Sequence, residues 1–319
     1  MQIADLLHKP NQPRIHLKPL DISVIEPYLE MLADRDVARL TGSTATFTRE
    51  QIEQWLLTRS TTPNRKDFGI FDQDRTFVGE VVLNEFNDEK NSMNIRIALR
   101  GKPWFNRGIG SQALALALEY AFDTLVVDKV TLDVLVENPR AIKAYEKVGF
   151  RTGRQFTSKN LRYQRMSITK LDFVYALGVL GIERHLPKSD WFFEFDNGKR
   201  RAGLCNYTDH RISISRYLAD IHTVDESLQV LAHEIGHALC APSEGHSKKW
   251  LATAKSLGYR AQKFSGNEIA REVAPWVGHC PRGHEHYRYR RPTRQLSCAI
   301  CSKEFSPAHL IRWRKSEPD

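Results

Sequence analysis

A five-residue pattern, His233-Glu234-Ile235-Gly236-His237, constrains the fold of this chain more than any other feature of its 319 residues. The apolar residues around it recur with helical spacing, and Thr223 and Glu226 ahead of it match a capping box. We therefore predict a core-facing helix from Thr223 to about Cys240. Residues four apart lie on one helix face, so both histidines can bind the same metal ion.

The residue between the two histidines suggests what such a metal would do. Glu234 lies about 100° around the helix from His233, so its carboxylate can reach a water at the metal rather than the metal itself. Zinc lowers the pKa of its water to about 7, and a glutamate can accept that water's proton and pass it to a leaving amine. We predict a zinc-dependent hydrolase with Glu234 as its catalytic residue. The alternative is a chance occurrence of a short pattern in a surface helix.

A third ligand is needed to complete a catalytic zinc site. His246 follows His237 by nine residues, beyond Pro242 and Gly245, which can turn the chain back. We predict that His246 is this ligand and that it opens a second helical segment, 246–257. The alternative is a polar residue that merely starts a helix.

The run VLAHEIGHALCAPSEGHSKKW resembles the SprT-like (spartan-type) metalloproteases, whose pattern is HExxH, a short loop and a histidine that opens the next helix. The run RRAGLCNYTDHRISISRYLAD resembles the small sheet that precedes the zinc helix in that family. The resemblance covers about residue 171 to the C-terminus. It implies a zincin-like α+β fold, peptidase activity with Glu234 as catalyst, and protein substrates that are DNA-associated in the best-known members.

Local patterns refine this second part of the chain. Asp196-Asn197-Gly198 is a hairpin signal, and we predict that it joins strands at Trp191–Phe195 and Arg201–Asn206. The alternating run Arg211–Ser215 predicts a third strand.

Three of the five cysteines lie near the C-terminus beside several histidines. Cys298 and Cys301 form a CxxC pair, and Cys280 with His284 is a plausible second pair, so we predict a structural zinc site. A zinc ribbon is common in the SprT-like family, which usually places cysteine where His284 stands. That departure leaves the fourth ligand open between His284 and its neighbours, His279 and His286. Free thiols in a tail and a redox CxxC are the alternatives.

The basic charge of the chain is concentrated in its last quarter. Residues 247–319 contain 15 Lys and Arg and 6 Asp and Glu, which accounts for the whole net charge of +9. Between the two ligand pairs, arginines alternate with aromatic residues at Tyr287, Arg288, Tyr289, Arg290, Arg291 and Arg294. Arginines can bind phosphates and the aromatic rings can stack on bases, so we predict that this segment binds nucleic acid. The alternative is a basic surface that is only solvated.

The first part of the chain alternates strand-like and helix-like segments, which predicts an α/β fold with a mixed sheet. Strands are predicted at 14–20, 68–71, 76–84, 94–99, 130–136, 150–155 and 161–169, and helices at 22–32, 49–57 and 111–124. A further helix is predicted after Asn138-Pro139, with Asn138 as N-cap and Gly149 as its end.

A glycine turn joins one of these strands to the long helix. Gly108 and Gly110 let the backbone approach an anion, and the N–H groups that follow can hold a pyrophosphate. GIGSQALALALEYAF and VTLDVLVENPRAIKAYEKVGF resemble GNAT N-acetyltransferases of the RimJ/RimL-like group over residues 13–170. The resemblance implies acetyl-CoA as cofactor, bound mainly through the backbone of Arg107, Gly108, Ile109, Gly110 and Ser111 and by Asn138.

The same resemblance implies that Tyr145 protonates the departing thiolate, which suits a phenol of pKa near 10; core packing is the alternative. The family often has Gln or Arg three residues before the first glycine, where this chain has Phe105. No general base is identifiable, since Glu80 and Glu85 are weak candidates. The acceptor amine is open between a protein and a small molecule.

Together these patterns predict three domains: 1–170 GNAT-like, 171–268 SprT-like, and 269–319 with zinc ribbon and basic tail. We predict a bifunctional enzyme that uses two zinc ions and acetyl-CoA. Two alternatives are an active peptidase with a non-catalytic, CoA-sensing or partner-binding GNAT domain, and a DNA-binding module with purely structural zinc. Glu234 argues against the last, because a structural site does not need it.

Location follows from the apolar segments. Residues 1–14 lack the apolar core of a signal peptide. The longest apolar run, 173–182, is short of the roughly 20 residues that span a bilayer. We expect a cytoplasmic protein without a membrane partner.

Overall fold

The computed structural model describes residues 1–59, 62–260 and 274–316. Over these residues the helices are α1 Ile3–Leu7, α2 Ile25–Ala33, α3 Arg35–Thr41, α4 Arg49–Arg59, α5 Ile109–Glu119, α6 Pro139–Lys147, α7 Lys170–His185, α8 Arg216–Ile221, α9 Val224–Ala238 and α10 Lys248–Ser256. The strands are β1 Ile15–Pro19, β2 Lys66–Asp72, β3 Phe77–Asn87, β4 Ser92–Leu99, β5 Lys129–Leu135, β6 Arg151–Ser158, β7 Leu161–Thr169, β8 Phe192–Asp196, β9 Gly203–Asn206, β10 Arg211–Ser215, β11 Trp276–His279, β12 Glu285–Arg288 and β13 Arg312–Lys315.

The N-terminal sheet is mixed, as the alternating pattern predicts. Its strands lie in the order β1-β2-β3-β4-β5-β7-β6. All neighbours are antiparallel except β4 and β5, which pair in parallel over three residues, Ser92–Asn94 with Lys129–Thr131. Beyond these residues the register ends, so the carboxyl-terminal parts of the two strands are not paired with each other.

Helices cover both faces of this sheet. The α5 helix packs into the main core through residues that are almost fully buried, among them Ala113, Leu114 and Leu118. Tyr28 and Met31 of α2 and Leu56 of α4 form a second apolar cluster against Phe77. The sheet is therefore a central layer between two layers of helix.

The α7 helix joins the two larger parts of the molecule. Thr169 ends β7 and caps α7 in a capping box with Asp172. Phe173 of this helix contacts Phe122, at 6.0 Å between ring centroids, while further along it Gly181 lies against Leu231 of α9. The apolar core is consequently continuous from β1 to α9.

The second sheet differs from the predicted hairpin. Its order is β8-β10-β9, with β10 parallel to β8 and antiparallel to β9, so β8 and β9 do not pair. The physical reason is burial: Ile212 and Ile214 of β10 are at most 1% exposed, and this most apolar strand takes the centre. The Asp196 carboxylate instead accepts bonds from Gly198 N–H and the Arg201 guanidinium, which shapes a wider loop.

The predicted zinc helix is α9, with both halves of the Thr223–Glu226 capping box formed. The helix after it begins later than predicted. Ser247 is the N-cap of α10, so His246 lies just before the helix rather than inside it.

The C-terminal residues form a small sheet in the order β12-β11-β13. The proposed division into 1–170, 171–268 and 269–319 stays a prediction, and its second boundary lies outside the described residues. None of the helices in the described ranges combines the length and apolar character needed to cross a bilayer.

Candidate functional sites

Three imidazoles converge at the C-terminal half of α9. The Nε2 atoms of His233 and His237 are 3.2 Å apart, and the Nε2 of His246 lies 3.1 and 3.2 Å from them. Zinc–nitrogen bonds of about 2.0–2.1 Å in a tetrahedral site put neighbouring nitrogens roughly 3.3 Å apart. The three predicted ligand residues are thus brought together in an arrangement that fits three corners of such a site.

The surroundings of His233 and His237 keep these two imidazoles neutral. Burial, reinforced by the neighbouring imidazoles, lowers the pKa of His233 to about 4. Burial and His246 lower the pKa of His237 to about 4 as well. A neutral imidazole is the form that binds a metal, so the site favours ligation over protonation at neutral pH.

Glu234 points toward β9. Its side chain is buried, and burial raises its pKa to about 8, against the opposing effects of the Cys205 backbone N–H and Arg201. Gly203 permits this contact, because a Cβ at that position would lie 2.7 Å from Glu234 Oε1. The carboxylate is therefore held between the zinc helix and the edge of the second sheet.

The second cluster forms beside the C-terminal sheet. The Nδ1 of His284 lies 3.5 Å from Cys280 Sγ, 3.6 Å from Cys298 Sγ and 3.3 Å from Cys301 Sγ. Of the three histidines that the sequence left open, this is the one brought to the sulfurs. His279 instead lies 3.2 Å from the Glu285 carboxylate. Three thiols and an imidazole suit a closed structural zinc site.

The glycine turn lies where the sequence predicts. Gly108 is the N-cap of α5 with φ +73°, a left-handed conformation that favours glycine, and as a glycine it provides no side-chain cap of its own. Asn138 caps α6, accepting a bond from Ala141 N–H at 3.2 Å. Tyr145 is buried against Phe150, and this burial raises its pKa to about 12.

Comparison with known proteins finds two family matches in the chain. Residues 14–151 match the acetyltransferase (GNAT) domain family, and residues 182–271 match the SprT-like family. The chain carries a GNAT domain followed by a SprT-like domain.

Two curated relatives match parts of the GNAT domain. The L-amino acid N-acetyltransferase AaaT of Escherichia coli is 38% identical over 63 residues, which are 19% of this chain and 39% of that protein. Spermidine N(1)-acetyltransferase of Vibrio cholerae is 32% identical over 83 residues, 26% of this chain and 47% of that protein. The matched segments span less than half the length of either relative.

Among solved structures, spermidine N-acetyltransferase of V. cholerae in complex with CoA and spermine is similar over 50% of this chain and 98% of that chain. The sequence identity is 20% and the TM-score 0.46. The F149G variant of the same V. cholerae enzyme matches with 20% identity, 50% and 96% coverage and a TM-score of 0.44.

In the SprT-like domain, the structure adds aromatic residues that the sequence argument missed. Trp250 of α10 is buried behind the histidines, with ring centroids 4.7, 5.0 and 4.6 Å from those of His233, His237 and His246. Tyr207 donates a bond to the His237 carbonyl at 2.8 Å. No helical spacing in the sequence points to either aromatic residue, because His246 lies before α10 and Tyr207 lies on a different element from the histidines.

In the GNAT domain, an arginine lies beside Phe105, the position where the family often has Gln or Arg. The Arg140 guanidinium lies 3.9 Å from the centroid of the Phe105 ring. Both residues, with Arg39, Lys102 and Asn138, line an open cavity of about 450 Å³. A guanidinium is thus present beside the position where the family often has a polar side chain.

The two weak base candidates differ in setting. Glu80 is buried and accepts a hydrogen bond from the Tyr28 hydroxyl at 2.9 Å, and burial raises its pKa. Glu85 is exposed on the same strand.

Proposed function

We propose that the protein is bifunctional, combining a SprT-like zinc metallopeptidase with an acetyl-CoA-dependent N-acetyltransferase. One observation carries the peptidase half: the convergence of three imidazoles, those of His233, His237 and His246, beside the buried carboxylate of Glu234. The SprT-like family match supports it.

The donor set fits zinc, since three imidazole nitrogens leave one position of a tetrahedron for substrate or water. A zinc ion held there would supply Lewis-acid chemistry, polarising a peptide carbonyl and acidifying water. A nearby dication also favours the ionised form of Glu234. Glu234 would then take a proton from the attacking water and deliver it to the leaving amine.

Metal analysis tests both zinc assignments. We expect about two zinc ions per chain, with one lost in His233→Ala and the other lost in Cys298→Ala. His16→Ala removes an imidazole far from both clusters and should keep two. A wild-type chain with a single ion would remove one of the two assignments.

Glu234→Gln separates metal binding from catalysis. It should keep both zinc ions while cleavage of a protein substrate falls by a factor of 100 or more, on the order of a lost general base. Glu183→Gln, on the exposed side of α7, is the matched control. Unchanged cleavage by Glu234→Gln would contradict the mechanism.

For the acetyltransferase half, we propose that acetyl-CoA binds at residues 107–111 and Asn138 and that a primary amine accepts the acetyl group. Tyr145 would donate the proton to the thiolate; its pKa of about 12 keeps the hydroxyl protonated at neutral pH but makes it a weaker acid than an ordinary phenol. The test compares acetyl transfer to a polyamine, to an amino acid and to a peptide N-terminus. Tyr145→Phe should lower the turnover number more than it lowers the affinity for CoA. CoA binding without turnover on any amine would instead favour the CoA-sensing alternative.

We further propose that the peptidase acts on DNA-associated proteins in the cytoplasm, where thiol ligands stay reduced. The excess of basic residues in 247–319 supports this proposal. The SprT-like domain adds basic residues beside this region, since Tyr289 donates to the Lys199 carbonyl at 3.1 Å, next to Arg200 and Arg201. DNA binding should weaken steeply between 50 and about 200 mM salt. No binding at low salt, or binding indifferent to salt, would refute it.

A further inference from the structure

A side chain of the GNAT domain holds the N-terminus of the zinc helix. The carboxylate of Asp123 accepts bonds from Val224 N–H at 2.8 and 3.0 Å, one to each oxygen, and from Asp225 N–H at 3.4 Å. These are the first two residues of α9, and Thr223 already bonds the third through its own side chain. Residues 101 positions apart in sequence thus complete one helix terminus.

This contact is favourable on electrostatic grounds. The first N–H groups of a helix have no partner within the helix, and its N-terminus carries partial positive charge. A carboxylate at that point both satisfies the donors and opposes the dipole. The helix that it fixes carries His233, Glu234 and His237 in its second half.

One continuous helical segment connects Asp123 to the proposed CoA turn at Gly108. The α5 helix starts at the Gly108 turn and continues without a break into a π-helical turn, Tyr120–Thr124, on which Asp123 lies. At about 1.5 Å per residue the turn and Asp123 are roughly 20 Å apart. The connecting residues are core residues: Ala113, Ala115 and Ala117 are 0% exposed. π-Helical turns inside helices are frequent at functional positions.

A second set of contacts connects α9 to the N-terminus of the chain. Gln229 accepts a bond from Arg260 N–H at 2.8 Å and donates to the Gly258 carbonyl at 3.3 Å. The Met1 amino group donates to the same carbonyl at 2.8 Å. The zinc helix is thus held by Asp123 at its start and is connected at Gln229, through Gly258, to Met1.

We propose that Asp123 is a positioning residue of the zinc site, through which CoA bound at the Gly108 turn and zinc bound by α9 strengthen each other's binding. The proposal rests on the proposed function of both domains. A ligand at the start of α5 restrains the helix whose other end fixes α9, and by linkage the effect must be reciprocal. Asp123 acts through α9 and does not touch the reacting atoms.

The test uses the full chain loaded with zinc and measures zinc removal by a chelator with and without CoA. The relevant phase of release is the one missing in His233→Ala. In the wild type, CoA should slow this phase by a factor of roughly 5, within the usual range of coupling between sites. In a cobalt-substituted chain, CoA should also shift the visible absorption of the same site.

Asp123→Asn should release this zinc faster than the wild type and lose the response to CoA, while the CoA affinity of the zinc-free chain stays within about twofold of the wild type. Asp123→Glu should restore part of the response to CoA. Asp128→Asn makes the same charge change at an exposed residue nearby and should behave as the wild type. A circular dichroism spectrum equal to that of the wild type shows that each variant is folded.

Two results would overturn the proposal: a wild type that binds both ligands with no effect of CoA on zinc release, or an Asp123→Asn chain that responds as the wild type does. A wild type that fails to bind CoA, or that lacks the His233-dependent zinc, is a different result, seen directly in the binding data. It refutes the proposed function itself and the coupling with it.

Discussion

At the scale of single residues, a glycine leaves the space that a buried carboxylate occupies beside the candidate metal centre. Glu234 is adjacent in sequence to the candidate ligand His233, yet it packs against β9, which lies more than 25 residues earlier in the chain. Gly203 leaves the space that the carboxylate fills. The absence of a side chain at Gly203 thus determines where the Glu234 carboxylate can lie.

Gly203→Ala should therefore damage the peptidase site. A methyl group there would lie 2.7 Å from both Glu234 Oε1 and Val230 Cγ1, so the helix or the strand must move. We expect a loss of about 1–3 kcal/mol in the free energy of unfolding and a large drop in cleavage, measured by denaturant titration and a proteolysis assay. Gly153→Ala on β6 meets only the Arg165 carbonyl at 3.3 Å and is the control. Equal cleavage by both variants would show that the contact is unimportant.

Glu119, near the start of the zinc helix, gives a prediction about pH. Burial, together with Asp123 and Asp225, raises its pKa from 4.5 to about 7. The folded state consequently binds more protons than the unfolded state between these values, so the free energy of unfolding falls as pH rises through that window. Glu119→Gln should remove this contribution and raise the melting temperature most above pH 7. A variant whose melting temperature follows the wild type from pH 5 to 8 would contradict the prediction.

At the scale of elements, α7 shows how packing overrides local preference. The glycines Gly178 and Gly181 are unfavourable in a helix interior by about 0.5–1 kcal/mol each. They are explained by close approach, since a Cβ on Gly178 would lie 2.4 Å from the Phe193 ring and one on Gly181 2.9 Å from Leu231. These contacts let one helix pack against both the second sheet and α9.

Gly178→Ala should be destabilising although alanine is the better helix former. The overlap with Phe193 costs about 1–3 kcal/mol, which exceeds the gain in helix propensity. Phe193→Leu in the same chain should relieve part of the loss, so the two changes will not be additive in a double-mutant cycle. A stabilised Gly178→Ala would mean that the helix can move away at little cost.

At the scale of the whole molecule, the GNAT and SprT-like domains share one apolar core. The buried cluster includes residues from β1, α5, α7 and α9 without interruption. Polar contacts reinforce it, such as the Arg184 guanidinium bonded to the His8 carbonyl at 2.6 Å. Separate family matches therefore do not imply separate folding units.

We expect the two domains to unfold in a single transition. Calorimetric and van't Hoff enthalpies should agree, and His233-dependent zinc release should coincide with loss of circular dichroism. Gly178→Ala should shift both probes together. Two resolved transitions, with CoA binding retained after zinc is lost, would show that the domains are independent.

The sequence by itself predicted many of the helices and strands and proposed the ligand residues. Helical periodicity and caps are local, so they predict α6, α9 and most strands of the first sheet, and the spacing of four places His233 and His237 on one face. It could not determine strand order. The Asp196–Gly198 signal predicts a hairpin, but burial put β10 between β8 and β9, and burial depends on the whole fold.

Only the tertiary structure decided which distant groups meet at the zinc helix. It placed Trp250 and Tyr207 around the histidines, brought His284 rather than His279 or His286 to the three cysteines, and set Asp123 at the start of α9. None of these pairings follows from spacing, because each depends on how separate elements pack. The HExxH pattern thus specified the candidate metal-binding face of a helix, and packing against a second domain specified how that helix is held.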